Sequence, residues 1–212
     1  MRVRVKICGI TRGEDALEAA RLGADAVGLV FYPPSPRGVD PERARAAVAG
    51  LPAFVTRVGV FVDPEPEAVR AAVAAAALDL LQFQGREPPE LCRAFGRPYM
   101  KALRAAPGTD LAAEARRYGD ACAILVDTHR PGVPGGTGEA FDWSLLPPGL
   151  GRPPAGRPLV LAGGLHPGNV AEAVRRVRPW AVDVSSGVEA APGIKDAALM
   201  AAFMREVQGA AS

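Results

Sequence analysis

The chain has 212 residues, with 25 Lys and Arg against 23 Asp and Glu, two His and three Cys, for a formal net charge of +2. Acids and bases are interspersed, leaving no basic patch for nucleic acid, and the Cys at 8, 92 and 122 are too scattered for a disulfide framework. Two His and no Cys/His cluster argue against a metal site, and no apolar stretch approaches membrane-spanning length.

Met1-Arg2-Val3-Arg4 runs directly into a strand-like segment, too short for a signal peptide. A cytoplasmic protein is therefore expected. Arg greatly outnumbers Lys and there is a single Asn, Asn169, a bias that suits a thermophilic or a GC-rich source.

Apolar runs rich in Val, Ile, Leu and Phe alternate with amphipathic Ala-rich stretches from end to end. In chain order, strands are expected at 3–8, 26–31, 56–62, 78–84, 99–105, 123–127, 159–162 and 181–185. Helices are expected at 14–22, 41–50, 65–77, 88–95, 110–118, 142–146, 169–178 and 195–208. Asp40-Pro41 and Asp63-Pro64 give an N-cap followed by Pro, and Asn169 is placed to cap the seventh helix. Gly23, Gly96 and Gly119 stand where helices should stop.

Eight βα units predict an α/β fold, a single (β/α)8 TIM barrel spanning 1–212. A doubly wound sheet would want a GxGxxG turn after its first strand, whereas this chain has Cys8-Gly9-Ile10-Thr11. The Pro/Gly-rich stretch 147–158 reads as a loop within the barrel rather than a linker.

Barrel chemistry sits at the carboxyl ends of the strands, so those ends supply the candidate residues. Strand one ends at Cys8, a thiol that can serve as base or nucleophile, or simply fill space as a small hydrophobe. Lys6 lies two residues earlier and faces the same way. In a closed barrel Asp183 on strand eight is its neighbour, so Lys6 and Asp183 are expected to pair beneath the thiol. The ammonium is then expected to help hold Cys8 as thiolate.

Strand six ends at Asp127, a carboxyl that burial could turn into a general acid. Gly135-Gly136-Thr137-Gly138 follows and reads as a lid loop. Gly163-Gly164 after strand seven and Ser185-Ser186-Gly187 after strand eight leave backbone N–H groups free to converge on a phosphate. Arg37, in the proline-stiffened 32–38 loop, can hold a guanidinium toward a ligand carboxylate. His129 and His166 have no partner identifiable from sequence, and Cys92 and Cys122 read as structural.

Taken together, Lys6-Ile7-Cys8-Gly9-Ile10-Thr11, Gly28-Leu29-Val30-Phe31 with Ser35-Pro36-Arg37, and Gly59-Val60-Phe61-Val62 form the first part of a recognisable series. Leu81–Gly85, Gly135–Gly138 with Phe141-Asp142-Trp143, Leu161–Leu165, and Val184–Glu189 with Pro192-Gly193 and Lys195-Asp196 continue it. In order and spacing, from residue 5 to about 196, the set resembles the phosphoribosylanthranilate isomerases of tryptophan biosynthesis.

The resemblance implies an Amadori rearrangement of an N-(5′-phosphoribosyl)anthranilate aminoaldose to its 1-deoxyribulose 5-phosphate ketose, with no cofactor. It implies Cys8 as general base and Asp127 as general acid. Arg37 would hold the anthranilate carboxylate, and Gly163, Gly164, Asp183, Ser185, Ser186 and Gly187 would form the substrate and phosphate site. The expected partner is thus a small phosphorylated substrate, with no nucleic acid and no membrane, and the protein is expected as monomer or homodimer.

One position departs from the family pattern: Gln84 stands where Leu-Gln-Leu-His-Gly usually places a His. A neutral amide there cannot titrate.

Three other readings fit less well. A histidine-pathway aminoaldose isomerase would be expected to carry Asp at the end of strand one. An indole-glycerol-phosphate synthase would need a catalytic Lys there and a longer N-terminal extension. A non-catalytic phosphate-binding barrel would have lost Cys8 or Asp127, and both are present.

Overall fold

The structure is a computed structural model that describes residues 2–106, 108–128, 143, 146–147, 150 and 156–210. Eight parallel strands close into a barrel in sequence order. They are β1 (Arg4–Cys8), β2 (Ala26–Val30), β3 (Thr56–Phe61), β4 (Leu80–Phe83), β5 (Tyr99–Ala105), β6 (Ala123–Thr128), β7 (Leu159–Leu161) and β8 (Ala181–Val184).

Between and after them run α1 (Gly13–Arg21), α2 (Pro41–Val48), α3 (Pro66–Ala76), α4 (Pro89–Cys92), α5 (Leu111–Arg117), α6 (Val170–Val177) and α7 (Ala197–Ala210). The eight expected strands are all present. The helix expected at 142–146 falls mostly outside the described residues, as does the lid loop Gly135-Gly136-Thr137-Gly138.

Side-chain alternation divides the core into two shells. Outward-facing Ile7, Val27, Leu29, Phe61, Leu81, Phe83, Ile124, Val126, Leu161 and Val182 pack beneath the helices. The interior is filled separately by Val58, Met100, Ala102, Ala123, Leu125, Val160, Ala162 and Ala181. Small residues leave room there for Lys6, Gln82 and Asp183, all buried. These three side chains bring polar groups into an otherwise largely apolar bore.

Asp40 caps α2 as expected, accepting from Arg43 N at 2.8 Å. Asp63 does not cap α3, whose first turn begins at Glu65. Instead Asp63 adopts a left-handed φ of 44° and accepts from Arg86 N, tying the loop after β3 to the loop after β4.

Asn169 precedes α6 without capping it through its side chain. Its Oδ1 accepts from His166 N and its Nδ2 donates to Gly164 O, each at 2.9 Å, which laces the turn after β7. The segment after β8 holds an unexpected hairpin, β9 (Glu189–Ala191) with β10 (Ile194–Lys195), so α7 starts two residues later than anticipated.

Candidate active site

Register brings Lys6 opposite Asp183 and Cys8 opposite Gly28. Lys6 Nζ lies 2.9 Å from Asp183 Oδ1, both side chains almost wholly buried, so the expected pair beneath the thiol is present. Asp183 accordingly sits inside the barrel rather than on the turns after β7 and β8.

Gly28 makes this geometry possible. A Cβ there would stand 2.7 Å from Cys8 Sγ and 3.1 Å from Lys6 Nζ, so any larger residue would push the thiol and ammonium out of these positions. Lys6 pulls the Cys8 pKa downward, as expected, but it does not prevail. Burial pushes the thiol above its ordinary value, outweighing the opposing Lys6 ammonium, with the Asp183 carboxylate adding to the rise. Burial works against the Lys6 charge too, but Asp183 and Cys8 together carry its pKa upward.

Asp127 is the penultimate residue of β6, on the inward face in line with the interior residues Ala123 and Leu125. Its Oδ2 accepts from Gln84 Nε2 at 3.1 Å, and Gln84 Oε1 accepts from Gln82 Nε2 at 2.9 Å. Cys8 and Asp127 thus stand on the same end of the barrel, three strands apart around its wall.

Arg37 reaches the mouth from the loop after β2, where Glu189 grips it at two points, Nε to Oε1 at 2.8 Å and Nη2 to Oε2 at 2.6 Å. Glu189 also accepts from Lys195 Nζ at 2.8 Å and Gly193 N at 3.3 Å. Burial alone would raise the Glu189 carboxyl, yet the hydrogen bonds from Arg37 and Lys195 hold it below the usual range. Burial lowers Lys195, and Glu189 only partly offsets that.

The Arg37–Glu189–Lys195 cluster was not anticipated from sequence as a unit. Its one legible signal was Pro192-Gly193, a turn dipeptide that places Glu189 and Lys195 side by side on a hairpin.

The turns after β7 and β8 meet. Gly163 and Gly164 both have positive φ, and a Cβ on Gly187 would collide with the carbonyl oxygen of Leu165. Ser186–Val188 forms a single 3-10 turn directly after Ser185. Small residues here bring two backbone segments into contact at the barrel mouth.

A second buried ion pair lies under the loop after β4 and was also missed. Lys101 Nζ donates to Glu87 Oε2 at 2.7 Å and to the carbonyls of Gly85 and Phe83 at 2.7 and 3.2 Å. Glu87 Oε1 accepts from the N–H groups of Asp63 and Gly85. His166 Nδ1 accepts from Gly168 N, a turn role. Cys92 is buried, whereas Cys122 is exposed as a residue. No cluster of three or more His, Cys, Asp or Glu suited to a metal occurs among the described residues.

A closed parallel barrel with ionisable groups gathered at its carboxyl mouth defines a (β/α)8-barrel enzyme. The family model for N-(5′-phosphoribosyl)anthranilate isomerase matches residues 5–206. The isomerase of Pseudomonas putida is 58% identical over 208 residues, covering 98% of each chain.

The crystal structure of the isomerase from Thermotoga maritima, an enzyme described as dimeric, superposes with a TM-score of 0.89 at 46% identity. The match covers 98% of this chain and 99% of that one. An isomerase in complex with reduced 1-(o-carboxyphenylamino)-1-deoxyribulose 5-phosphate superposes with a TM-score of 0.85 at 45% identity, over 98% and 99% of the two chains. The chain belongs to the N-(5′-phosphoribosyl)anthranilate isomerase family, enzymes of tryptophan biosynthesis.

Proposed function

We propose that the chain, as one barrel domain over 1–212, converts N-(5′-phosphoribosyl)anthranilate to 1-(2-carboxyphenylamino)-1-deoxyribulose 5-phosphate with Asp127 as general acid and Cys8 as general base. Asp127 gives its proton to the furanose ring oxygen as the C1′–O bond breaks, leaving a protonated Schiff base. Cys8 thiolate then takes the C2′ proton, and the resulting enolamine tautomerises to the ketone.

The observation that carries this reading is the placement of Cys8 and Asp127 on inward positions at the same end of the barrel, on separate sides of its mouth. Burial keeps the resting thiol protonated, so the base is a minority thiolate. Lys6 opposes that burial and lowers the cost of forming it.

In this reading Arg37, held by Glu189, keeps donors on its outer edge for the anthranilate carboxylate. The touching turns at Gly163-Gly164 and Ser185-Ser186-Gly187 receive the phosphate, and Asp183 serves the substrate only through Lys6 and Cys8. The residues named for this chemistry are all side chains or backbone groups, and the rearrangement needs no cofactor.

The test is the loss of anthranilate-ring fluorescence from freshly made phosphoribosylanthranilate. Cys8→Ala and Asp127→Asn should each lower kcat by about 10²–10⁴ while inorganic phosphate and product still bind. Near-normal turnover in either variant removes that residue from its role.

The cytoplasm is the compartment this reading supports, for an enzyme acting on a small phosphorylated metabolite. No described helix is long and apolar enough to cross a membrane. Of the two assembly states expected, a homodimer is the one proposed. Phe54 is fully exposed and holds a φ of 72°, a costly conformation for a residue with a side chain, at the amino end of the barrel. Sedimentation should give a dimer that Phe54→Ser converts to monomer; a monomeric wild type would refute it.

A further inference from the structure

Three side chains at the barrel mouth form a hydrogen-bond chain with a direction. Gln82, buried on β4, donates Nε2 to Gln84 Oε1, and Gln84 donates Nε2 to Asp127 Oδ2. The two glutamines lie two residues apart along one strand direction and so face the same way into the barrel. At the far end, Gln82 Oε1 is buried with no hydrogen-bond partner among the described residues. An orphaned buried oxygen calls for a reason. Here it is the consequence of both amides being turned donor-first toward Asp127.

We propose that Gln84, oriented by Gln82, is a positioning residue that donates to Asp127 Oδ2 and stabilises the carboxylate left behind when the proton is transferred. The proposal rests on the reading of Asp127 as general acid. A neutral carboxyl has two oxygens and one proton. The oxygen that accepts the Gln84 N–H, Oδ2, acts as the carbonyl while the carboxyl keeps its proton. When the proton leaves, the same N–H bonds an anion, and such bonds are shorter and stronger than neutral ones. Gln84 therefore favours the state after proton transfer over the state before it, the differential that accelerates a step.

With the Gln82 amide as it stands, a half-turn of the Gln84 amide alone is disfavoured. That rotation would set Oε1 against the carboxylate and a second NH2 against the NH2 of Gln82. Being amides, both residues act with the same strength across the working pH range.

The experiment compares Gln84→Leu, Gln84→His, Gln82→Leu and Asp127→Asn in the phosphoribosylanthranilate fluorescence assay, with kcat and KM resolved at a series of pH values. Gln84→Leu should lower kcat about 10- to 100-fold with KM within about twofold, and Gln82→Leu should lower kcat about 3- to 10-fold. Gln84→His retains one donor, so it should restore kcat to within a few-fold of wild type. It should also add an ionisation near the imidazole value of about 6.5.

If Asp127→Asn is inactive while Gln84→Leu keeps kcat within about twofold, or loses only KM, the positioning role is overturned. Should the Leu variant not fold, a Gln84→His profile without the added ionisation overturns it equally. Near-normal turnover by Asp127→Asn would instead overturn the acid reading itself, and this inference with it.

Discussion

Arg37 and Glu189 lie 152 residues apart in sequence and meet in a two-point ion pair of 2.8 and 2.6 Å at the barrel mouth. The pair fixes one edge of the guanidinium, and in the proposed function the other edge holds the substrate carboxylate. Lys195, on the strand paired with that of Glu189, braces the carboxylate from the other side.

Glu189→Gln keeps the shape but removes the charge that holds Arg37. It should raise KM for phosphoribosylanthranilate about tenfold or more with a smaller change in kcat. An unchanged KM would detach the clamp from substrate binding. The same group has an acid signature. Its folded carboxyl titrates below the ordinary Glu value of 4.5, so its stabilisation is complete above about 4.5 and is lost as pH falls through the folded value. Acid titration of unfolding free energy should therefore be steeper for wild type than for Glu189→Gln.

Cys8 carries the opposite sign. Its folded pKa lies above 9.0, so the folded protein holds that proton more tightly than the unfolded chain does. The contribution is present below pH 9.0 and disappears as pH rises through the folded value. Thiolate absorbance in wild type minus Cys8→Ser should show a midpoint above 9.0. A midpoint well below that would mean the Lys6 ammonium outweighs burial.

Lys101 and Glu87 are both almost fully buried, and their hydrogen bonds tie the end of β4 and the loop after it to the loop after β3. Lys101→Met leaves a carboxylate buried without its cation, at a cost of about 3–5 kcal/mol. Thermal unfolding should drop by roughly 10 °C for a chain of this size. A change of less than a degree or two would show that the loop rearranges to hydrate Glu87.

Gly187→Ala forces a methyl into the Leu165 carbonyl and must part the turns after β7 and β8. If those turns bind phosphate, competitive inhibition by inorganic phosphate should weaken about tenfold or more, with the fold retained. Unaltered inhibition would place the phosphate elsewhere.

The barrel was legible because strand and helix periods alternate without interruption, and closure alone then made Lys6 and Asp183 neighbours. Cys8 and Asp127 were legible for the same reason, as residues at strand ends. Arg37 was read from its proline-stiffened loop as a residue that could hold a carboxylate, but its captor was not foreseen. Glu189 lies beyond β8 on a hairpin too short for a periodic signal, and Lys195 read as the start of a helix.

Lys101 was invisible for a different reason. In a strand covered on both faces, alternation does not separate a lysine bound for solvent from one buried under helices. Glu87, within Gly85-Arg86-Glu87-Pro88-Pro89, has the composition of a solvated loop. Gly28 looked like an ordinary strand glycine; only the register with Cys8 shows that the thiol occupies the space of its missing side chain.

Asn169 is the one asparagine in the chain, and its amide laces the glycine turn after β7 by donating to Gly164 O and accepting from His166 N. Spontaneous deamidation would replace that donor with a carboxylate oxygen facing a carbonyl, and would set a new negative charge beside the turn proposed to receive phosphate. The chain thus keeps its single asparagine at the mouth of its barrel. Heat or alkaline storage should erode substrate affinity there before the barrel itself unfolds.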